Sequence, residues 1–410
     1  MRPVLLALLA LGCAEPTSCP PADLAPIAGE PAYAFVGGDY ASSVIGVLDA
    51  DGNVLREAWI DSGTVTPTLV PAVSGDTVLG GPLAPCVVTV IDRDAAVLTF
   101  LDACAEEDVV LGQLDVGPTF YANPQDAIAI DETRALVSRS QPNLQPGADE
   151  LERGNDLLVV DWREGRVLSR VDLSLLDHVG DERMHARPER LALLERGEAR
   201  VVIAGLARLT SDFMRAGPGA VGVVDLATLE PRALALDGLT NCREVDAVPG
   251  APERAIVTCN GPSFGRALDR QAGAGVAALE LMESGEVRVS GIWRASDHPE
   301  APVFNTWTVP LGADRVVTVA MGDVGRNLAD QAGVLALGGG EARALMEAGD
   351  AFVLGDGAFD PQSQILFLPD AAEGTLRRFD LSTGAAHELD PVGVAACRGL
   401  PPRELRRIAP

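Results

Sequence analysis

The chain contains no lysine: all 32 of its basic residues are arginine, set against 59 acidic ones for a formal net charge of -27. Schiff-base chemistry and a phosphate-loop lysine are thereby excluded. A surface this acidic also argues against non-specific attachment to nucleic acid or to anionic lipid headgroups, so no nucleic-acid partner is expected. Aromatic residues make up only 4% of the chain, which leaves a sugar-binding rim of exposed rings little to draw on. The 4 histidines form no HExxH, and the 7 cysteines form neither CxxC nor CxxCH, so the usual signatures of zinc and covalent haem are missing. A nucleophile-elbow hydrolase is not indicated either. What remains is ample: 410 residues at 47% hydrophobic content can build a large core, and 43 glycines and 29 prolines scattered as turn punctuation favour many short strands over long helices.

The N-terminus, MRPVLLALLALGCAEP, has one early positive charge at Arg2, an apolar run from Val4 to Leu11 and a small residue just before Cys13. It resembles a bacterial lipoprotein signal, in which cleavage leaves the cysteine as a lipidated N-terminus. Ala10 and Leu11 depart from the family's preferred residues at those places, and an ordinary secretory signal is the alternative. Both imply export, because the run is too short to span a bilayer as a helix. The resemblance implies residues 1–12 as signal, lipid on Cys13, a tether over 13–31 and membrane contact through the lipid alone. Ala14 and Glu15 follow the cysteine without an aspartate, which favours an outer-membrane destination in a bacterial envelope.

Six cysteines remain, and an even number in an exported chain reads as disulfides. In CVVTVIDRDAAVLTFLDAC two strand-like runs fold about a turn near Asp92, bringing Cys86 and Cys104 to the open end of one hairpin. CREVDAVPGAPERAIVTC does the same for Cys242 and Cys259. Cys19 is then left with Cys397, one near each terminus.

An apolar run ending in an aspartate and a turn recurs along the chain. It appears at Asp49, Asp102, Asp161, Asp225 and Asp380, with degenerate copies around Glu280 and Leu337. The apolar positions fit a strand buried on both faces, and each aspartate can accept backbone N–H groups of its turn. The spacing matches a four-stranded blade, and seven copies predict seven blades. VGVVDLATLEP, RRFDLSTGAA and the exit QLDVGP are similar to the YVTN-type seven-bladed β-propeller repeat. The resemblance implies an all-β fold over residues 32–410, a single monomeric propeller of four-stranded antiparallel blades, and no particular activity. RELRRIAP at the C-terminus looks like an innermost strand without a blade, and AYAFVGG with VIGVLDADGNVL like outer strands without an inner one. Pairing the two would close the ring. Whether Cys86–Asp92 forms a second or a third strand is left open.

Asp126, Glu189, Glu244, Asn305 and Glu404 occupy the same place at the starts of the innermost strands, facing the expected channel. Their repulsion must be relieved, either by Arg187, Arg243 and Arg403 beside them or by a divalent cation such as calcium, for which carboxylate and amide oxygens are suitable ligands. Propeller lactonases use a channel metal of that kind, so a metal-dependent lactonase or esterase is the enzyme alternative to a non-catalytic binding or scaffolding module. The long connections carry Arg208, Arg215, Arg266, Arg270 and Arg326. These predict a rim for a protein or a small anionic ligand, unless the arginines pair with neighbouring acids such as Asp212 and Asp330.

Overall fold

A computed structural model describes residues 19–65, 69, 73–147, 149–262, 271–298, 305–324, 327–337, 342–394 and 397–408. Cys13, the signal segment, Arg266, Arg270 and Arg326 lie outside the described residues, as does the side chain of Asn305.

Seven four-stranded antiparallel sheets form a seven-bladed propeller. The innermost strands, blade by blade, are Pro402–Arg407, Thr77–Leu79, Pro124–Ala129, Pro188–Arg196, Glu244–Val248, Asn305–Pro310 and Ala358–Asp360. Every copy of the aspartate-ending run proves to be a third strand or its end: Ser43–Leu48, Val97–Asp102, Gly154–Asp161, Pro218–Asp225, Ala274–Leu281, Gln331–Ala336 and Thr375–Asp380. The turn chemistry follows the expectation. Asp49 Oδ1 accepts the N–H of Asp51 at 3.0 Å and of Asn53 at 2.8 Å, and Asp225 Oδ1 accepts Ala227 N–H at 2.8 Å. Val87–Asp92 pairs with Thr77–Leu79 on one side and Val97–Asp102 on the other, which makes it a second strand.

Why the third strands are apolar throughout is visible in the core. Buried side chains divide into seven clusters, one for each contact between adjacent blades. Val36, Val47 and Trp59 of blade 1 meet Val88, Val90 and Leu101 of blade 2, and Tyr33 and Phe35 meet Phe367 and Leu376 of blade 7 across the closure. A strand inside a blade has a neighbour on both faces, so both faces are apolar. The C-terminal strand Pro402–Arg407 pairs antiparallel with Tyr33–Gly38, closing the ring. Cys19–Cys397 locks that closure across a separation of 378 residues, and Cys86–Cys104 and Cys242–Cys259 brace blades 2 and 5. Three disulfides point to an oxidising, exported environment. Residues after Cys19 lie along blade 1: Arg56 donates to Asp23 at 2.7 Å and Trp59 Nε1 to the carbonyl of Ala25 at 3.3 Å. Among the described residues no helix is long and apolar enough to cross a membrane.

The innermost strands all run the same way along the channel. They begin at a loop face, where connections between second and third strands and between blades emerge, and end at a hairpin face of short turns.

Candidate functional site: a channel divided by one arginine

The aligned acidic positions do converge on the channel, and the group that organises them is Arg190. From blade 4 its Nη2 donates to Glu404 Oε1 of blade 1 at 2.6 Å and to Asp356 Oδ2 beside blade 7 at 2.9 Å. Nη1 donates to the carbonyl of Leu79 in blade 2 at 3.1 Å, and Nε to Glu244 Oε2 of blade 5 at 3.3 Å. One side chain thus ties five blades together across the axis. Burial opposes its charge, but Glu404, Asp356, Glu244 and Asp126 outweigh that and hold the guanidinium firmly protonated.

The carboxylates have distinct tasks. Asp126 accepts the N–H groups of Gly81, Ala127 and Leu191, each at 2.9 Å, and so links blade 3 to blades 2 and 4. Its complete burial raises its pKa, against the pull of Arg190 and those three donors. Glu404 Oε2 accepts Leu79 N–H at 3.0 Å. Arg243 Nε lies 2.6 Å from Glu189 Oε2 and 3.3 Å from Glu244 Oε1. Burial also raises the pKa of Glu244, partly offset by Arg243 and Arg190, and raises that of Asp356 well above the usual range.

Of the three arginines proposed from sequence as counter-charges, only Arg243 serves. Arg187, at φ 46°, turns away to sit 3.9 Å over the Phe213 ring and to donate to Gln141 Oε1 at 2.8 Å. Arg403 stacks 3.3 Å from the Tyr40 ring centroid. Arg190 and Asp356 went unrecognised from sequence: the first is hidden beside Glu189, and the second precedes an innermost strand of only 3 residues.

Among the described residues, the channel donors do not fit a divalent cation. A guanidinium already stands between Glu244, Glu404 and Asp356, and a second one between Glu189 and Glu244, so these four carboxylates each already face an arginine. Among the described residues, the one group of three potential His, Cys, Asp or Glu ligand atoms within 4.8 Å of each other is Cys86, Asp102 and Cys104, whose sulfurs are joined in a disulfide.

Arg190 separates two cavities that have no lining residue in common. Above it, at the loop face, a polar mouth of 110 Å³ is lined by ion pairs together with Tyr40 and Trp307. It adjoins a 310 Å³ hollow that shares Tyr40, Trp307 and Arg403 and adds Phe352 and Met321. Below it, at the hairpin face, opens an apolar funnel of 610 Å³.

The predicted rim is only partly as expected. Arg208 is buried, donating to the carbonyls of Leu176 at 2.8 Å and Pro218 at 3.3 Å, and so acts as a strut. Arg215 is exposed and pairs with Glu182, while the neighbouring acids do other work. Asp212 accepts from Thr210 and Met214, and Asp330 from the N–H groups of Gly322, Phe352, Val353 and Leu354. His185 is buried against Ser211 and Asp177. GPSFG at residues 261–265 has the glycine-x-serine-x-glycine spacing of a nucleophile elbow. It falls between second and third strands of an antiparallel blade, and Ser263 lies outside the described residues.

No protein-family model matches the chain, and no curated protein is similar to it in sequence. Solved structures are similar in fold. The periplasmic gluconolactonase of Pseudomonas aeruginosa superposes with a TM-score of 0.54 at 14% identity, over 92% of this chain and 99% of that one. The Cps50 (Swd1) β-propeller domain of Myceliophthora thermophila gives 0.53 at 7% identity, over 87% and 99%. KlAtg21, solved in complex with the coiled coil of AgAtg16, gives 0.53 at 10% identity, over 88% and 99%. At these identities the likeness establishes the architecture: the chain is a seven-bladed β-propeller, of a fold used by lactonases and by scaffolds alike.

Proposed function

We propose that the protein is an exported, lipid-anchored binding or scaffolding module that docks a partner protein on its loop face. One observation carries this reading. Of the large apolar side chains that stand exposed among the described residues, twelve lie in connections on the loop face, including Tyr40, Tyr121, Phe213, Met214, Leu328 and Phe352, and the other three, Val54, Leu111 and Leu168, sit on outermost strands. Exposed apolar surface gathered on one side of a rigid scaffold marks an interaction face. Tyr40 stacked on Arg403 also has the residue types that dominate interface energetics. The lactonase alternative draws support only from the fold, and the arginine-filled channel weighs against its metal.

Affinity capture from envelope extracts, with the wild-type chain and a Tyr40→Ala/Phe352→Ala variant, tests the reading. A protein retained by the wild type and lost from the variant is the expected result. Equal retention by both would refute the assignment of the face. Turnover of a lactone by the purified chain, abolished in Glu244→Gln, would replace the reading with the hydrolase.

A further inference from the structure

The hairpin face offers a different opportunity, independent of the docking reading. All seven innermost strands or their flanks contribute to the 610 Å³ funnel, among them Ile128, Leu193, Val309 and Phe359. That is the size and predominantly apolar lining of a small-molecule site, in which a few polar groups fix orientation. Here the polar groups are few and specific. Arg406 turns Nε toward Glu404 Oε1 at 3.2 Å and leaves its buried Nη2 without a hydrogen-bond partner. Asp246, two residues beyond Glu244 on the blade 5 strand, lines the same cavity and makes no hydrogen bond through its side chain among the described residues. Arg407, at the lip, is 3.6 Å from Asp360.

We infer that the funnel binds a small amphiphile with an apolar body and a carboxylate head, the head meeting Arg406 and Arg407, the two arginines that line the funnel, and the body filling the space between the innermost strands. Charge complementarity chooses the head: two of the three charged residues lining the funnel are arginines, and a carboxylate is the natural bidentate partner of a guanidinium. Asp246 is compatible with that guest. Burial, reinforced by Glu244, Asp126 and Glu404 against the pull of Arg190, pushes its carboxyl up to about 7, so near neutrality it can present a proton to the head rather than a second negative charge.

The test is calorimetric titration of the disulfide-bonded chain with dodecanoate, kept below its micelle concentration, alongside dodecyltrimethylammonium as the cationic counterpart. Dodecanoate is expected to bind with one-to-one stoichiometry and the cation at least tenfold more weakly. Ala247→Trp, which puts a large ring into the funnel from an exposed position and leaves every ion pair in place, is expected to abolish binding. Arg406→Gln is expected to weaken dodecanoate at least tenfold without weakening the cation. Because Arg406 also braces Glu404, each variant is first checked by melting, and the Ala247→Trp result stands even if Arg406→Gln is unstable. Absence of dodecanoate binding, preference for the cation, or binding indifferent to Ala247→Trp would each overturn the inference.

Discussion

The two halves of the channel are built by the same seven strands, yet they differ in almost every property. At the loop face the strands begin with Glu189-Arg190, Arg243-Glu244 and Arg403-Glu404, and the space is cross-linked by ion pairs. Two to four residues later the same strands present Leu193, Ala247 and Leu405, and the space is open and apolar. Seven strand edges converging on an axis bring like residues together. Where those residues are acidic, repulsion has to be relieved from within, and Arg190 and Arg243 fill the gap. Where they are apolar, nothing draws the walls together and a funnel remains. The lesson is that a ring of carboxylates in a propeller need not signal a metal: arginines reaching in from two of the blades can relieve the same repulsion.

The sharpest way to break the contrast is Arg190→Met. Similar in length but uncharged, it leaves Glu244, Glu404 and Asp356 buried without their shared cation, a situation that costs about 3–5 kcal/mol. Thermal melting at pH 7.5 should show the largest loss of any single substitution in the channel. The deficit should narrow as the pH is lowered toward 5, because the orphaned carboxylates can then take up protons. A variant as stable as wild type would mean that the arginine is not what holds the upper half together.

Next in size is Gly205→Ala, which attacks the scaffold behind the ion pairs. A Cβ there would stand 2.1 Å from the carbonyl oxygen of Arg243, so the blade 5 strand must move away and take the Arg243–Glu189 pair with it. A loss of about 1–3 kcal/mol is expected from such overpacking. Gly374→Ala is the contrasting control: nothing lies within 4 Å of its Cβ position, although its φ of 67° carries its own backbone strain.

Asp246→Asn probes the boundary between the halves and should have the opposite sign. A carboxyl whose folded pKa lies above its unfolded value holds its proton longer in the folded state. Folding stability therefore falls as the pH rises from about 4, the unfolded value, to about 7, and the penalty persists above that. Asparagine removes the penalty. The variant should match wild type near pH 4 and exceed it at pH 8 by about 1–2 kcal/mol, the full linkage being discounted because the carboxyl is only partly buried. Equal denaturation midpoints at both pH values would show that Asp246 titrates normally.

How much of this was legible in the sequence depends on whether the controlling contacts are local. The aspartate turns act within a few residues, as at Asp49 and Asp225, so seven blades could be counted from a linear pattern. The hairpin disulfides were equally local, and Cys19–Cys397 followed by elimination. The alignment of Asp126, Glu189, Glu244 and Glu404 was visible because innermost strands begin in register. What could not be seen was direction. Arg187 and Arg403 stand as close in sequence to the carboxylates as Arg190 does, yet a left-handed backbone at Arg187 and the Tyr40 ring beside Arg403 draw both toward the loop face. Innermost strands of 3 residues in blades 2 and 7 left too short a trace for period-two patterning to reveal. The apolar funnel was illegible for a similar reason, since a residue such as Ala247 looks like any core alanine until seven strands have been arranged around an axis.

The smallest effect comes from the loop face and sharpens the comparison from outside the channel. Arg215 pairs with Glu182 as Arg190 pairs with Glu244 and Glu404, but its side chain is 61% exposed against 8% for Arg190. Water and salt screen the outer pair, and two mobile side chains must be ordered to form it, so Arg215→Ala should cost no more than about 0.5 kcal/mol and less in 0.5 M salt. Urea midpoints for the two arginine variants, measured side by side at low and high salt, set the buried network against the exposed pair. A large, salt-resistant loss at Arg215 would mean that the connection between the blade 4 second and third strands is held far more tightly than its exposure suggests, and the loop face would then be a rigid platform out to its edge.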